Sequence, residues 1–164
     1  MELDYSCLHT RMLYHLECLN PPQEDMYLIK GHDARRGTCK SIMNTIWNSP
    51  TLNGAIRAVM KKHNMTQKIR PTLKKRTVLK LLDGLSEKHS QIIHYVGTGI
   101  GNDLQFLDSC ISEKIMISML NLGTVCLPVH DSFVVPWQYE EQLRETMIME
   151  YMNVLGKEPI IDKK

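Results

Sequence analysis

The stretch LPVHDSFVVP, residues 127–136, places His-Asp-Ser in the middle of an apolar, β-branched run. The run predicts a pair of short strands. Its expected buried side chains are those of Leu127, Val129, Phe133, Val134 and Val135. An aspartate among buried residues costs free energy unless it is paired, hydrogen-bonded or bound to a metal. Asp131 therefore either lies in water at the tip of a tight hairpin, bonding its own backbone, or belongs to a functional site.

Length and composition indicate a single globular domain. The chain has 164 residues, of which 43% are hydrophobic and 23% charged. Its five cysteines include no CxxC pair, which disfavours a disulfide scaffold or a zinc site and favours a reducing compartment. No stretch approaches the ~20 apolar residues that cross a bilayer. Met1 is followed by an acidic residue rather than by a basic signal region. We expect a cytoplasmic protein without a membrane partner.

Basic residues are concentrated in the segment 54–82, which we call the basic block. It contains no acidic residue. It carries nine lysines and arginines: Arg57, Lys61, Lys62, Lys68, Arg70, Lys74, Lys75, Arg76 and Lys80. Such a block is expected of a protein that binds a polyanion. From charge alone, a solvated helix surface explains it equally well.

Hydrophobic periodicity and turn residues predict a helix-rich α+β fold with a small antiparallel sheet. Strands are expected at residues 2–6, around the 130–131 turn and at 158–164. Helices are expected at residues 8–19, 32–47 with Asp33 as N-cap, 51–64, 71–82 with Pro71 in the first turn, 86–96, 102–120 and 139–155. His63, His89 and His94 are expected at helix surfaces. No repeat or linker is visible, so we expect one domain over residues 1–164.

Two aspartates, Asp4 and Asp131, lie in or beside predicted strands at opposite ends of the chain. Asp4 taken alone is an ordinary helix N-cap. Two carboxylates brought together in a fold repel each other unless a proton or a divalent cation lies between them. Carboxylate oxygens suit Mg²⁺, which keeps several waters and takes further ligands from substrate phosphates. We expect the two aspartates on adjacent antiparallel strands, close enough to share a cation.

Arg36 and Lys40 lie between the two aspartates, in the sequence RGTCK. Because they are four residues apart, they share one face of the predicted helix and can point at a triphosphate together. The same spacing is common on solvated helices, so its meaning depends on its place between the two aspartates.

Several segments resemble the motifs of family A DNA polymerases. DYSCLHTRMLYHL resembles motif A, DYSQIELRVLAHL, and the residues in register include Asp4, Tyr5, Ser6, Arg11 and Leu13. RGTCK resembles the R-x-x-x-K core of motif B. VHDSF resembles motif C, which is VHDE in these DNA polymerases and HDS in phage-type single-subunit RNA polymerases. LQFLDSCISEKIM is similar to the family's LQGTAADIIKRAM segment, with Gln105 at the family's glutamine.

The resemblance implies a polymerase-palm-like domain with an abbreviated fingers region at about residues 32–96 and no exonuclease or thumb domain. It implies that Asp4, Asp131 and the Tyr5 carbonyl bind two Mg²⁺ ions, for which Mn²⁺ is a substitute, with His130 near the primer end. Arg36 and Lys40 are then the triphosphate ligands. Further nucleotide-binding residues are Tyr5, His9 and Asn44. Arg11 and Gln105 are further nucleic-acid-binding residues. Apart from the resemblance, the charge of the basic block adds Lys61, Lys62, Lys74, Lys75 and Arg76 as nucleic-acid-binding residues.

The implied function is template-directed nucleotidyl transfer to a primer 3′-hydroxyl in DNA replication or repair, in a phage- or plasmid-like protein. The partners are a DNA primer-template, nucleoside triphosphates and a second replication protein as a source of a thumb. The chain departs from the family at His9, where motif A has a glutamate that helps exclude ribonucleotides. It departs again at Asn44 and Asn48, where motif B has aromatic residues. Two alternatives stay open: a non-catalytic nucleic-acid-binding palm remnant, and an RNA polymerase or primase.

Overall fold

The structure, a computed structural model, describes residues 1–32, 35–66 and 74–164, without the side chains of residues 63–66. The described residues form six α-helices and one four-stranded sheet. The predicted α+β class is therefore confirmed. The chain divides into two compact units, which we call the first unit (residues 1–21 and 103–164) and the second unit (residues 22–102). The predicted fingers segment, residues 32–96, falls within the second unit.

The sheet belongs to the first unit and takes its strands from both ends of the chain. The strands are β1 (Glu2–Tyr5), β2 (Leu127–Val129), β3 (Ser132–Val134) and β4 (Ile161–Lys163). Their spatial order is β2-β3-β1-β4, and every neighbouring pair is antiparallel. Side chains alternate between the two faces of a strand, so the sequence Glu-Leu-Asp-Tyr of β1 buries Leu3 and Tyr5 on one face.

Burial along the hairpin differs in part from the prediction. Phe133 and Val135 are buried as expected, and Val134 is half-buried. Leu127 and Val129 are 57% and 47% exposed, so their predicted burial is wrong. Both lie in β2, which is an outer strand of the sheet. Apolar, β-branched residues predict a strand, but they do not reveal whether that strand is central or at the edge.

Three helices complete the first unit: α1 (Leu8–Leu16), α5 (Gly101–Asn121) from residue 103 onward, and α6 (Glu140–Leu155). α6 packs on β1 and α1, and its residues Leu143, Met147 and Tyr151 recur at the four-residue spacing of one helix face. α1 ends three residues before its predicted end. The chain turns there because Cys18 adopts a left-handed φ of 59° and its N–H bonds to the His15 carbonyl.

The second unit is built from three helices that pack against one another: α2 (Arg36–Trp47), α3 (Leu52–Thr66) and α4 (Lys75–Lys88). A 3₁₀ helix, Ser90–Tyr95, follows α4, where the sequence predicts an α-helix over 86–96. His89 lies between these two elements and is 1% exposed, so its predicted surface position is wrong. Asp33 and Pro71 lie outside the described residues. None of the described helices is long and apolar enough to span a membrane.

Candidate functional site

The pairing of β1 with β3 brings the two aspartates from opposite ends of the chain next to each other. Asp4 lies in β1, directly opposite Ser132 of β3. Asp131 lies in the turn that precedes β3, and its carbonyl oxygen accepts a hydrogen bond of 3.1 Å from the Tyr5 N–H. The predicted adjacency of the two chain segments is thus present, although Asp131 is in a turn and not inside a strand.

The turn between β2 and β3 consists of His130 and Asp131. His130 is exposed and has a left-handed φ of 57°, a conformation typical of two-residue hairpins. The turn matters because Asp131 is offset by one residue from Asp4. In a regular strand, such an offset sends the two side chains to opposite faces of the sheet. Asp131 lies in the turn, and its hydrogen bond with the Tyr5 N–H continues the register of the β1–β3 pair by one residue. The sharing of one cation by the two carboxylates stays a prediction.

Asp4 is paired with a cation that the sequence did not reveal. The ammonium of Lys164 lies 3.0 Å from Asp4 Oδ1 and 3.2 Å from Glu2 Oε1. The hydrogen bonds that Lys164 makes with Asp4 and then with Glu2, together with their charges, raise the pKa of Lys164. Lys164 reaches this position because β4 pairs with β1. The Asp4 carboxylate, of which 19% is exposed, therefore accommodates a positive group.

Ser132 links the hairpin to the start of the chain. It is completely buried, and its hydroxyl lies 2.7 Å from Glu2 Oε1 and 2.8 Å from the Val129 carbonyl oxygen. The hydrogen bond from Ser132, followed by that from Lys164, lowers the pKa of Glu2. Glu2 is therefore ionised at neutral pH and adds negative charge beside Asp4.

Tyr5 contributes its backbone to this region and its ring to the core. The phenol donates a hydrogen bond of 2.6 Å to the Met147 carbonyl, and the ring packs against those of Phe133 and Tyr151. Burial raises the pKa of the Tyr5 phenol far above its usual value, so the hydroxyl stays protonated. Metal binding by the Tyr5 carbonyl and nucleotide binding by Tyr5 both stay predictions.

The other predicted site residues of the first unit lie on its helices. His9 Nε2 is 3.8 Å from Asp108 Oδ2. Arg11 Nε donates a hydrogen bond of 2.9 Å to the Ser6 carbonyl, which supports the turn between β1 and α1. Gln105 is exposed on α5.

In the second unit, Arg36 and Lys40 lie on one face of α2, as their helical spacing predicts, and both are over a single aromatic ring. Arg36 Cζ is 5.5 Å and Lys40 Nζ is 5.9 Å from the centroid of the Tyr27 ring. Arg36 Nε also pairs with the carboxylate of Asp25. Partial burial acts to raise the pKa of Asp25, but hydrogen bonds from Arg36 and from the Tyr27 N–H, with nearby positive charge, hold it below its usual value. Asn44, further along α2, is exposed.

The described part of the basic block lies on α3 and at the start of α4. Its predicted contact residues, namely Lys61, Lys62, Lys74, Lys75 and Arg76, are all exposed. Arg57 and Lys75 border a cleft of about 390 Å³ whose other lining residues are Asn53, Ile56 and Met60. Lys68 and Arg70 lie outside the described residues. Exposed cations at this density are able to contact a polyanion.

The donor atoms in the first unit fit Mg²⁺ in their chemistry. Within residues 1–32, 35–66 and 74–164, no group of three or more His, Cys, Asp and Glu side chains is placed to hold a metal ion. Mg²⁺ needs fewer protein ligands than such a group provides, because it keeps several waters and is commonly held by one or two carboxylates. Asp4, Asp131 and the main chain of Tyr5 supply oxygen donors of this kind, and Asp4 already pairs with a cation. In comparisons with known proteins, the chain matches no protein-family model and has no significant match among curated proteins.

Proposed function

We propose that the chain is a template-directed nucleotidyltransferase that extends a nucleic-acid primer, in line with its resemblance to family A DNA polymerases. One observation carries the proposal. The hydrogen bond between the Tyr5 N–H and the Asp131 carbonyl joins the segments resembling motifs A and C, which lie at opposite ends of the chain. A two-metal phosphoryl transfer needs oxygen ligands grouped around the metal ions, and this pairing brings two aspartate-bearing segments together.

The proposal assigns metal binding to the first unit. Asp4, Asp131 and the Tyr5 carbonyl hold Mg²⁺ or Mn²⁺, which supplies positive charge for the attacking and leaving oxygens. The β1–β3 pairing keeps the backbone of Asp4 and Asp131 in place, so these carboxylates need little reorganisation. His130, exposed in the turn, is then beside the primer end.

The proposal assigns triphosphate binding to the second unit. Arg36 presents a planar guanidinium that binds phosphate oxygens through paired hydrogen bonds, and Lys40 adds a point charge. The basic block binds the nucleic-acid backbone, where exposed lysines and arginines neutralise phosphates without reading sequence. Deoxynucleotides and DNA are the first choice of substrates. Ribonucleotides stay an alternative because His9 stands where motif A has its glutamate.

Primer extension tests the proposal. Wild type, Asp4→Asn and Asp131→Asn are compared with dNTPs or NTPs and with Mg²⁺ or Mn²⁺. Asp162→Asn is the matched control, because Asp162 is an exposed aspartate on β4 directly opposite Asp4. We expect metal-dependent extension by wild type and by the control. Extension should fall at least about a hundredfold in the other two variants, since charge stabilisation by a metal is worth several kcal/mol.

The outcomes separate the candidate functions. Full extension by Asp131→Asn would contradict the assigned metal site. Wild-type DNA binding without extension under any of these conditions would favour a nucleic-acid-binding palm remnant, which the exposed basic block alone is able to support. Extension with NTPs and not with dNTPs would favour an RNA polymerase or primase.

A further inference from the structure

The proposed function does not explain how Arg36 and Lys40 are held close together. Both are exposed on α2, and like charges four residues apart on a helix repel each other. Both side chains are also long and flexible. A pair that binds a single triphosphate gains more affinity when both groups are held together before the ligand arrives, because less side-chain freedom is lost on binding.

The Tyr27 ring offers a surface that holds them. Arg36 Cζ and Lys40 Nζ lie 5.5 Å and 5.9 Å from its centroid, within the ~6 Å range of cation–π attraction. Tyr27 itself is only 4% exposed. A buried ring therefore underlies two exposed cations, and its electron-rich face attracts both of them at once.

A second contact fixes the orientation of one cation. Asp25 accepts a hydrogen bond of 2.8 Å from the Tyr27 N–H at Oδ1 and pairs with Arg36 Nε at Oδ2. One carboxylate thus joins the backbone of the tyrosine to the guanidinium above its ring. The Nε side of the guanidinium is directed at Asp25, which sets the plane in which its other nitrogens lie.

The loop that carries the ring is fastened by the end of α4. Lys88 Nζ donates hydrogen bonds of 2.6 Å to the Asp25 carbonyl and 2.9 Å to the Leu28 carbonyl. His89 Nε2 lies 2.9 Å from the Met26 carbonyl oxygen. Lys88 is only 15% exposed, so these contacts are shielded from water. The loop is held on both sides of the aromatic residue.

We propose that Tyr27 is a positioning residue that holds Arg36 and Lys40 together as one phosphate-binding pair. The inference rests on the proposed function, because that function gives the pair a triphosphate to bind. It adds a residue that lies outside the segments resembling the polymerase motifs. Tyr27 acts through the two cations and makes no contact with the ligand itself.

Binding of tripolyphosphate and of a dNTP, measured by isothermal calorimetry, tests the inference. Tyr27→Phe keeps the aromatic face and should bind within about twofold of wild type. Tyr27→Leu removes the face and should bind about three- to tenfold more weakly, the range that one or two exposed cation–π contacts provide. Ile29→Val is the matched control, because Ile29 is a buried residue of the same loop that packs against Gly84.

Two further readouts distinguish positioning from a loss of packing. In primer extension, Tyr27→Leu should raise the KM for the nucleotide and leave kcat within about twofold, because binding of the ground state and of the transition state is weakened equally. In a Lys40→Ala background, the effect of Tyr27→Leu on tripolyphosphate binding should shrink, since residues that act together are not additive. Full additivity, or equal binding by a folded Tyr27→Leu variant, would overturn the inference while leaving the proposed function intact.

The contact is also measurable without any substitution. In wild-type protein, the methylene protons next to the Lys40 ammonium should show ring-current shifts in NMR spectra. Absence of these shifts would overturn the inference even if Tyr27→Leu failed to fold. Absence of tripolyphosphate and dNTP binding by wild type would overturn the triphosphate role itself. The Asp131→Asn extension assay reports on the metal site separately from both results.

Discussion

The acidic residues of the first unit and the basic residues of the second are placed by different kinds of contact. Asp4 and Asp131 come together because strands from opposite ends of the chain pair with each other. Arg36 and Lys40 come together because a helix repeats every 3.6 residues, and one buried ring lies under both. The acidic site therefore depends on pairing between distant strands, whereas the basic pair depends on one helix and on a loop that the end of α4 holds in place.

The largest expected effect concerns the basic block and its salt dependence. Replacing Lys61, Lys62, Lys74 and Lys75 by glutamine should flatten the log–log dependence of duplex binding on salt by up to about 3 to 4 units. Wild type should show a slope of about −4 to −5, as five or six neutralised phosphates release counterions. Fluorescence anisotropy of labelled duplex DNA, titrated at several salt concentrations, measures this slope. Lys114→Gln, on an exposed lysine of α5, is the control. An unchanged slope in the quadruple variant would show that these four lysines do not contact phosphates and only keep the helix surface solvated.

Truncation of a buried side chain in the central strand β1 should destabilise the protein much more than truncation of an exposed side chain in the outer strand β2. Leu3 is completely buried in β1, so Leu3→Ala should lower the free energy of unfolding by about 2–5 kcal/mol. Leu127 is 57% exposed in β2, so Leu127→Ala should change it by about 0.5 kcal/mol or less. Urea unfolding followed by circular dichroism compares the two. Similar losses in both variants would contradict the assigned strand order.

Among the described side chains, each unit buries one histidine in a neutral form, which makes acid stability a second comparison between the units. Burial, followed by the charges of Arg11 and Lys157, lowers the pKa of His15 to about 4. Its Nδ1 lies 2.9 Å from the Tyr151 hydroxyl. In the second unit, burial likewise lowers the pKa of His89.

A lowered histidine pKa makes the folded protein less stable as the pH falls. Between about pH 6.5 and 4, the unfolded chain binds a proton at His15 that the folded chain does not. The stabilisation by neutral His15 is thus complete above this window and lost within it, by at most about 3 kcal/mol. Urea unfolding at pH 7.5 and 4.5 compares wild type with His15→Gln, which should lose part of this pH dependence. Identical pH dependence in the two proteins would contradict burial of neutral His15.

The smallest expected effect on extension is that of Lys164→Met. Its ammonium is about half exposed, so loss of the ion pair with Asp4 should change the free energy of unfolding by no more than about 1 kcal/mol. Because the ammonium and a metal ion compete for the same carboxylate, half-maximal extension should need about two- to fivefold less Mg²⁺. Lys163→Met is the control, since Lys163 pairs with Glu140 instead. Equal Mg²⁺ requirements in both variants would remove Lys164 from the candidate metal site.

Secondary structure that follows from a local pattern in the sequence was predictable. The helix predicted at residues 32–47 is present as α2, and the α+β class followed from such segments. The residues that complete each candidate site were not. Lys164 contacts Asp4 through β4, and Tyr27 reaches Arg36 and Lys40 from a separate loop. No periodicity links these positions, because each contact joins segments that are distant in the sequence.

By itself, the sequence determined where helices and strands form, which helix faces are apolar, and that Arg36 and Lys40 share a face. These properties follow from local periodicity, since neighbours along a helix or strand are fixed by its repeat. Only the tertiary structure decided that β2 is an outer strand, that His89 is buried and that Lys164 pairs with Asp4. The physical reason is that strand order and loop packing depend on the apolar surface that is buried when distant segments come together. The residues next to a position in the sequence do not indicate which distant segment it will contact.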